Sequence, residues 1–236
     1  MPNTLNGAVV LVTGANGGLG EQFVRQALER GAAKVYATAR TPRTWDDTRI
    51  VPLALDVTDD ESVAAAVAQA VDTTVVINNA GISRPAPIAT GSIGDIRDVF
   101  ETNFFGAIAV ARAFAPVLGA NGGGVLLDVH SVLSWIGLAG AYSAAKAALW
   151  SATNSLRLEL APQRTQVVGL HVGYIDTAMA SHVDADKNDP ADVARIAYDG
   201  IEAGDFEILA DDLSVRVKQG LAAPIIGLYP QLTSAQ

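Results

Sequence analysis

The sequence lacks cysteine altogether, and this absence excludes a disulfide framework, a thiolate metal site and a cysteine nucleophile. It also fits a reducing compartment, so we expect the protein in the cytoplasm. Histidine is scarce as well. His130, His171 and His182 lack the short spacings of a zinc site, and we predict no metal.

Charge is sparse and mostly acidic: 17% of the 236 residues are charged, and the net charge is −9. Half of the residues are hydrophobic, which excludes disorder and predicts a large core. The acidic balance opposes binding to nucleic acid or to an anionic membrane surface, so we expect a small-molecule ligand and neither of those partners. The N-terminal sequence MPNTLNGAVVLVTG has no basic leader and too short an apolar run to span a bilayer. No linker divides the chain, and we expect one domain over residues 1–236.

A glycine-rich loop follows the first apolar run. Residues 8–12 predict a strand buried on both faces, and the loop GANGGLG at 14–20 leads into apolar positions at helical spacing that end at Gly31. Glycines there let the backbone turn tightly and approach a pyrophosphate, whose charge is met by N–H groups of the loop and the helix N-terminus. The alternative is a plain turn, but a position between a strand and an amphipathic helix favours a nucleotide loop.

Arg40 follows the second predicted strand, residues 34–39. In dinucleotide-binding folds an acidic residue at this position binds the ribose 2′-hydroxyl, whereas a basic residue accommodates a 2′-phosphate. Arg40 offers a cation where no carboxylate stands, so the sequence predicts NADP(H) in preference to NAD(H). The alternative is that Arg40 only keeps an exposed loop soluble.

Small or polar residues also follow three later strands. Residues 50–55 end at Asp56 and Val57, residues 74–77 run into NNAG at 78–81, and residues 124–129 run into His130 and Ser131. With further strands at 165–170 and 207–209, strands and helices alternate throughout. Right-handed crossovers then predict an α/β fold: a Rossmann-like, doubly wound, parallel seven-stranded sheet with helices on both faces.

Tyr142 and Lys146 are spaced by four residues in an alanine-rich stretch. If this stretch is helical, the phenol and the ammonium share one face, and a nearby cation favours the phenolate of a general acid or base. A solvated pair on an ordinary helix is the alternative. Asn103 lies inside a predicted helix, residues 91–117, where asparagine is unfavourable. Its side chain either faces solvent or serves a local function.

The chain resembles the single-domain group of the short-chain dehydrogenases/reductases over essentially its whole length. Each motif alone is weak evidence, whereas six or seven in the family's order are specific. The motifs are TGANGGLG at 13–20, Asp56-Val57, NNAG at 78–81, Asn103, Ser131, YSAAK at 142–146 and the loop at 173–177.

The resemblance implies an NADP(H)-dependent oxidoreductase that reduces a carbonyl group or oxidises an alcohol. Tyr142 would be the general acid or base, and Lys146 would lower its pKa and hold the nicotinamide ribose. Ser131 would donate to the substrate oxygen, and Asn103 would position a water that links Lys146 to solvent. The implied cofactor-binding residues are Gly14, Asn16, Gly18, Leu19, Gly20, Arg40, Asp56, Val57, Asn79, Ala80, Gly81, Tyr142, Lys146, Ile175 and Thr177.

The substrate pocket is less determined. Two residues depart from the family's usual pattern: Val172 replaces a proline and His130 replaces a second serine. The predicted pocket is mostly apolar and holds no cluster of cations, so we expect an uncharged ketone, aldehyde or secondary alcohol. An acidic carrier protein would be repelled by the net charge of −9. The predicted lining residues are Leu133, Trp135, Tyr174, Met179 and His182.

Two other functions are compatible with parts of this pattern. An NADP-binding redox sensor without turnover would reuse the fold, but such proteins commonly lack part of the Asn, Ser, Tyr and Lys set present here. A sugar-nucleotide epimerase would need an added substrate domain, for which the residues after the sixth strand leave little room. The resemblance also implies a homodimer or homotetramer formed through the helices that contain Asn103 and Tyr142.

Overall fold

The structure, a computed structural model, describes residues 4–233. Its strands are β1 Val9–Thr13, β2 Lys34–Ala39, β3 Ile50–Ala54, β4 Val75–Asn78, β5 Gly124–Val129, β6 Thr165–His171 and β7 Glu207–Leu209. All seven pair in parallel in one sheet of order β3-β2-β1-β4-β5-β6-β7. The predicted fold class is therefore confirmed, and no predicted strand end is off by more than one residue.

Helices cover both faces of the sheet. Because successive residues of a strand point to opposite faces, Val10 and Val12 pack beneath α1 and α6, whereas Leu11 packs beneath α2, α4 and α5. Two apolar cores result, one on each side. The helices are α1 Gly18–Glu29, α2 Asp60–Gln69, α3 Ile93–Phe100, α4 Ala107–Ala120, α5 Ala141–Leu160, α6 Pro190–Ala203, α7 Asp212–Gly220 and α8 Ile225–Leu228.

The strand order reverses between β1 and β4. The chain builds β1, β2 and β3 outward in one direction, then returns to place β4 on the other side of β1. In open parallel sheets, a crevice opens at the carboxyl ends of the strands at such a reversal, and ligands bind there. This edge is where the glycine loop and the residues after β4 and β5 come together.

The helix predicted over residues 91–117 is interrupted. It begins after Ser92, whose side chain accepts a hydrogen bond from Asp95 N, and consists of α3, a π-helical segment Glu101–Gly106, and α4. The predicted long helix is therefore present, and its centre is π-helical rather than α-helical. By length and composition alone, the combined segment Ile93–Ala120 could cross a membrane. Its most apolar stretch has a mean hydropathy of 1.4, and 39% of that stretch is buried in the structure.

Candidate active site

The glycine loop folds back on the end of β1. Gly14 has a positive φ of +68°, and the N–H of Ala15 donates to the Thr38 carbonyl at 2.9 Å. A Cβ on Gly20 would lie only 2.2 Å from the Gly14 carbonyl oxygen, so only glycine allows the start of α1 to approach the loop this closely. Leu19 is buried in the core, which leaves only its backbone to face a ligand.

The loop after β6 meets the glycine loop. A Cβ on Gly18, where φ is +56°, would lie 3.0 Å from Thr177 Cγ2. Ile175 packs against the core and pairs with Asn188 in an isolated β-bridge. The structure thus brings Gly18 and Thr177 into contact, so the loop after β6 lies against the glycine loop.

Arg40 lies exposed just after β2, and the described residues 4–233 contain no ion-pair partner for it. Arg43, by contrast, is engaged: its guanidinium lies 3.0 Å from Glu21 and 3.8 Å from the ring centroid of Trp45. Asn16 joins the glycine loop to the segment after β2, because its side chain donates to the Thr41 carbonyl at 2.8 Å. Arg40 therefore has no ion pair, although its charge helps to lower the pKa of Asp56.

Asp56 and Val57 stand at the carboxyl end of β3. The Asp56 carboxylate accepts hydrogen bonds from the backbone N–H and the hydroxyl of Thr58, at 3.0 and 2.8 Å, and these bonds lower its pKa. Val57 is buried against the π-helical segment, where a Cβ on Gly106 would lie 2.7 Å from Val57 Cγ2. The carboxylate is thus charged and held in place at the sheet edge.

Asn79, Ala80 and Gly81 join the end of β4 to the glycine loop. The Asn79 side chain donates to the Thr13 carbonyl at 2.9 Å, and the N–H groups of Asn79 and Ala80 both donate to Thr13 Oγ1. A Cβ on Gly81 would lie 2.8 Å from Asn103 Oδ1. These residues fix the floor of the cleft between β1 and β4.

Asn103 serves a local function. Its side chain is buried within the π-helical segment and donates to the carbonyls of Ile82 and Val99, each at 2.9 Å, while it accepts from Ile82 N at 3.2 Å. This settles the choice left open by the sequence, since the side chain does not face solvent. Its bonds hold the segment after β4 against the helix, and π-helical segments often occur at functional sites.

Ser131, Tyr142 and Lys146 converge beyond the end of β5. Ser131 starts a short 3₁₀ turn, Val132–Ser134, and its hydroxyl lies near enough to the phenol of Tyr142 to oppose the rise in the pKa of that phenol. Lys146 lies one helical turn further along α5, with Nζ 5.9 Å from the Tyr142 ring centroid and donating to the Val129 carbonyl at 2.7 Å. The predicted shared face of the phenol and the ammonium is therefore present.

Burial raises the pKa of Tyr142 to about 12 and outweighs the opposing effect of the Ser131 hydroxyl. The pKa is therefore raised here, and the lowering effect expected of Lys146 stays a prediction. Burial lowers the pKa of Lys146 to about 8, against the opposing charge of Asp128. At neutral pH the phenol is consequently neutral.

Asp128 was missed by reasoning from sequence. It is fully buried on β5, where its carboxylate accepts from Asn78 Nδ2 at 2.9 Å and from Thr153 Oγ1 at 2.7 Å. Burial raises its pKa, and Lys146 opposes that rise. A lone carboxylate in the apolar run GVLLDV was the available signal, because buried acids are rare unless they are paired.

The predicted pocket residues divide into two groups. Tyr174 and Met179 are 44% and 45% exposed, His182 is exposed, and Leu133 is half-buried. Trp135 is partly exposed, and its ring stacks on the buried imidazole of His171, with centroids 4.0 Å apart and an interplanar angle of 18°. Its place in the pocket stays a prediction.

The residues at this edge fit a dinucleotide. The close approach of Gly20 to Gly14 leaves backbone where a side chain would block a pyrophosphate, and Arg40 is an available cation on the adjacent rim. Within residues 4–233, no group of three or more His, Asp or Glu side chains could hold a metal ion. A nucleotide-binding fold with a Ser, Tyr and Lys cluster beside the cleft defines a dinucleotide-dependent oxidoreductase.

Comparison with known proteins makes the class specific. The short chain dehydrogenase family matches residues 8–188. A short chain dehydrogenase from Burkholderia cenocepacia, solved in complex with NADP, is 37% identical and superposes with a TM-score of 0.91 over 97% of this chain and 99% of that one. The NADPH-bound carbonyl reductase from chicken fatty liver gives a TM-score of 0.77 at 26% identity, over 85% and 89% of the two chains.

A curated relative is the NADPH-dependent 1-acyldihydroxyacetone phosphate reductase of Schizosaccharomyces pombe. It is 35% identical over 183 residues, which are 73% of this chain and 61% of that protein's length. The chain belongs to the short-chain dehydrogenase family and is an oxidoreductase.

Proposed function

We propose that the protein uses NADP(H) to reduce an uncharged ketone or aldehyde to the alcohol, or to run the reverse reaction. The observation that carries the proposal is the convergence of Ser131, Tyr142 and Lys146 at the carboxyl edge of the sheet. The bound nicotinamide supplies or accepts the hydride. The chain itself must bind the carbonyl compound, orient it and move one proton.

Tyr142 and Ser131 have complementary roles in this proposal. The raised pKa of about 12 keeps the Tyr142 phenol protonated at neutral pH, as a general acid must be. The Ser131 hydroxyl donates to the same oxygen of the substrate and so stabilises the negative charge that develops there. Lys146, buried on the same helix face, contributes a positive charge that favours loss of the Tyr142 proton during turnover.

Arg40 supports the preference for NADP(H). It is an exposed guanidinium after β2, and it is free of the ion pairing that engages Arg43. A guanidinium binds phosphate oxygens through two parallel hydrogen bonds. The S. pombe relative is described as NADPH-dependent, and the B. cenocepacia structure contains NADP, so both agree with this assignment.

The substrate is proposed to be a neutral small molecule. Tyr174, Met179 and His182 lie exposed on the loop after β6, and Leu133 lies on the facing turn after β5. This set is mostly apolar and carries no cluster of Lys or Arg that would clamp a phosphate or carboxylate.

The test is oxidation of NADPH at 340 nm with a panel of aldehydes, aryl ketones, diketones and cyclic ketones, with NADH run in parallel. Turnover of some members with NADPH preferred supports the proposal. Silence across the panel, with NADPH binding still detectable by fluorescence, contradicts it and favours a sensor without turnover. Addition of a carboxylate-bearing analogue of any active ketone tests neutrality, because it should react more slowly.

We also propose a homo-oligomer, dimer or tetramer, formed through the helices that contain Asn103 and Tyr142. An open groove of about 650 Å³ runs along α2 and α4 and includes the exposed ring of Phe105. The helix behind it is apolar enough to cross a membrane although only 39% of its window is buried. Apolar surface of this kind marks a protein contact in a globular protein.

The proposal includes a single domain and a cytoplasmic location without nucleic acid or membrane partners.

A further inference from the structure

Two parts of the turn that carries Ser131 contact one buried imidazole. His171 ends β6, and its side chain is completely buried. Its Nδ1 lies 3.3 Å from the carbonyl oxygen of Ser131, and its ring stacks on Trp135, which follows the turn. One side chain on β6 therefore touches the first residue of the turn and the residue immediately after it.

The surroundings of His171 decide which nitrogen carries the proton. The Ser131 carbonyl can only accept, so its hydrogen bond with His171 requires the tautomer in which Nδ1 carries the proton. Nε2 then holds the lone pair and lies 3.5 Å from a Glu207 carboxylate that is itself paired with Lys218. Burial lowers the pKa of His171 to about 3, so the ring is neutral at neutral pH.

The Ser131 side chain depends on the turn that His171 contacts. Ser131 Oγ accepts from Leu133 N at 3.2 Å and lies beside the Tyr142 phenol. A shift of the Ser131 backbone would therefore move the hydroxyl relative to Tyr142. Displacements of about 1 Å in a catalytic group can cost orders of magnitude in rate.

We infer that His171 is a positioning residue: its Nδ1–H, donated to the Ser131 carbonyl, fixes the backbone that aims the Ser131 hydroxyl at the substrate oxygen. The inference rests on the proposed function, because it assumes that Ser131 contacts the substrate. His171 itself is buried behind the turn and does not touch the substrate.

Two substitutions separate the hydrogen bond from the ring stack. His171→Phe keeps an aromatic ring against Trp135 and removes the donor. His171→Asn removes the ring but places an amide N–H near the position of Nδ1, so it serves as the conservative rescue. If the phenylalanine variant does not fold, His171→Gln replaces it, because its longer side chain carries the amide beyond Nδ1 toward Nε2.

Amide hydrogen exchange of residues 131–135, measured on the protein without substrate, reports the turn directly. Loss of one hydrogen bond is expected to speed exchange about 10-fold in His171→Phe, with His171→Asn close to the wild type. In kinetics, kcat should fall about 10-fold in His171→Phe, while KM and the Kd for NADPH stay unchanged. Two results would overturn the inference. One is a wild-type exchange rate in His171→Phe, and the other is an exchange rate in His171→Asn that exceeds the rate in His171→Phe.

Ser131→Ala separates this inference from the proposed function. If Ser131→Ala turns over like the wild type, the proposed role of Ser131 fails, whatever the exchange experiment shows. If Ser131→Ala is inactive and His171→Phe keeps wild-type exchange and kcat, the role of Ser131 stands and the positioning role of His171 is refuted.

Discussion

Tyr142, Lys146 and Asp128 are three buried groups whose pKa values all depart from the ordinary range. Burial raises the pKa of the Tyr142 phenol and the Asp128 carboxyl and lowers that of the Lys146 ammonium, in each case because water is removed from the charged form. Asp128 and Lys146 moderate each other's shifts as opposite charges. Burial is thus the main cause of all three shifts, and Asp128 acts on the site through Lys146.

The first prediction concerns Asp128→Asn. A carboxyl group with a raised pKa in the folded state contributes stability below its unfolded pKa, and this contribution is lost as the pH rises. Below pH 4 the wild-type group is protonated and resembles asparagine. The thermal midpoint of Asp128→Asn minus that of the wild type should therefore increase between about pH 4 and pH 7. Thr153→Val, which removes a bond to Asp128 but keeps its charge, is the control. A difference that decreases with pH would contradict the prediction.

The second prediction concerns cofactor preference. Arg40→Asp removes the exposed cation after β2 and adds a carboxylate that repels a 2′-phosphate, so the Kd for NADPH should rise about 10- to 100-fold relative to that for NADH. Fluorescence titration with both nucleotides measures this ratio. Arg216→Asp, on the exposed side of α7, makes the same charge change as a control. An unchanged ratio would mean that the 2′-phosphate is bound elsewhere.

At the scale of elements, the glycine loop works through its contact with α1. Gly20 and Gly14 approach so closely that an added methyl group cannot fit, whereas Gly17, with extended backbone, has no atom within 4 Å of the position that a methyl group would take. The two positions therefore differ in the space available to a side chain. Of Gly17 and Gly20, only Gly20 must be glycine for steric reasons.

The third prediction uses this contrast. Gly20→Ala should push α1 away from the loop and weaken NADPH binding by at least about 10-fold, because the backbone N–H groups lose their alignment. Gly17→Ala should bind within a few-fold of the wild type. Isothermal titration of both variants measures the difference, and equal affinities would refute the steric argument.

The π-helical segment shows where element-level reasoning from sequence stops. The apolar pattern over residues 91–117 predicts a helix, and the helix is present. The extra residue per turn around Asn103 arises from its bonds to Ile82 and Val99. Ile82 lies on a distant part of the chain, so local propensity carries no information about this bond. The presence of an unfavourable asparagine was the signal that something non-local holds it.

At the scale of the whole molecule, the strands and the cleft were predictable because parallel strands end at one edge. Apolar runs punctuated by glycine and asparagine gave strand positions to within one residue. The polar layer of Asp128, His130 and His171 beneath α5 was not predictable. This layer forms only when β5 and β6 pair in a register that places Asp128 opposite Gly169. The ring of Trp135 then stacks on His171 at the end of β6.

The fourth prediction concerns assembly. Phe105→Asp replaces an exposed apolar ring of the groove along α2 and α4 with a charge and should shift the protein toward monomers, because an unpaired charge is costly in an interface core. Light scattering after size exclusion measures the mass. Phe206→Asp, an equally exposed phenylalanine just before β7, is the control and should leave the mass unchanged. A wild-type mass for both variants would exclude this face.

The most direct test of the account is turnover by Tyr142→Phe. Removal of the proton donor should reduce kcat by about 100-fold or more, while the Kd for NADPH changes little, because only the hydroxyl is lost. Tyr36→Phe removes a phenol hydroxyl far from the cleft and should retain full activity. Stopped-flow measurement of NADPH oxidation, with the best carbonyl compound of the panel, provides the numbers. A Tyr142→Phe enzyme with wild-type kcat would contradict the proposed chemistry.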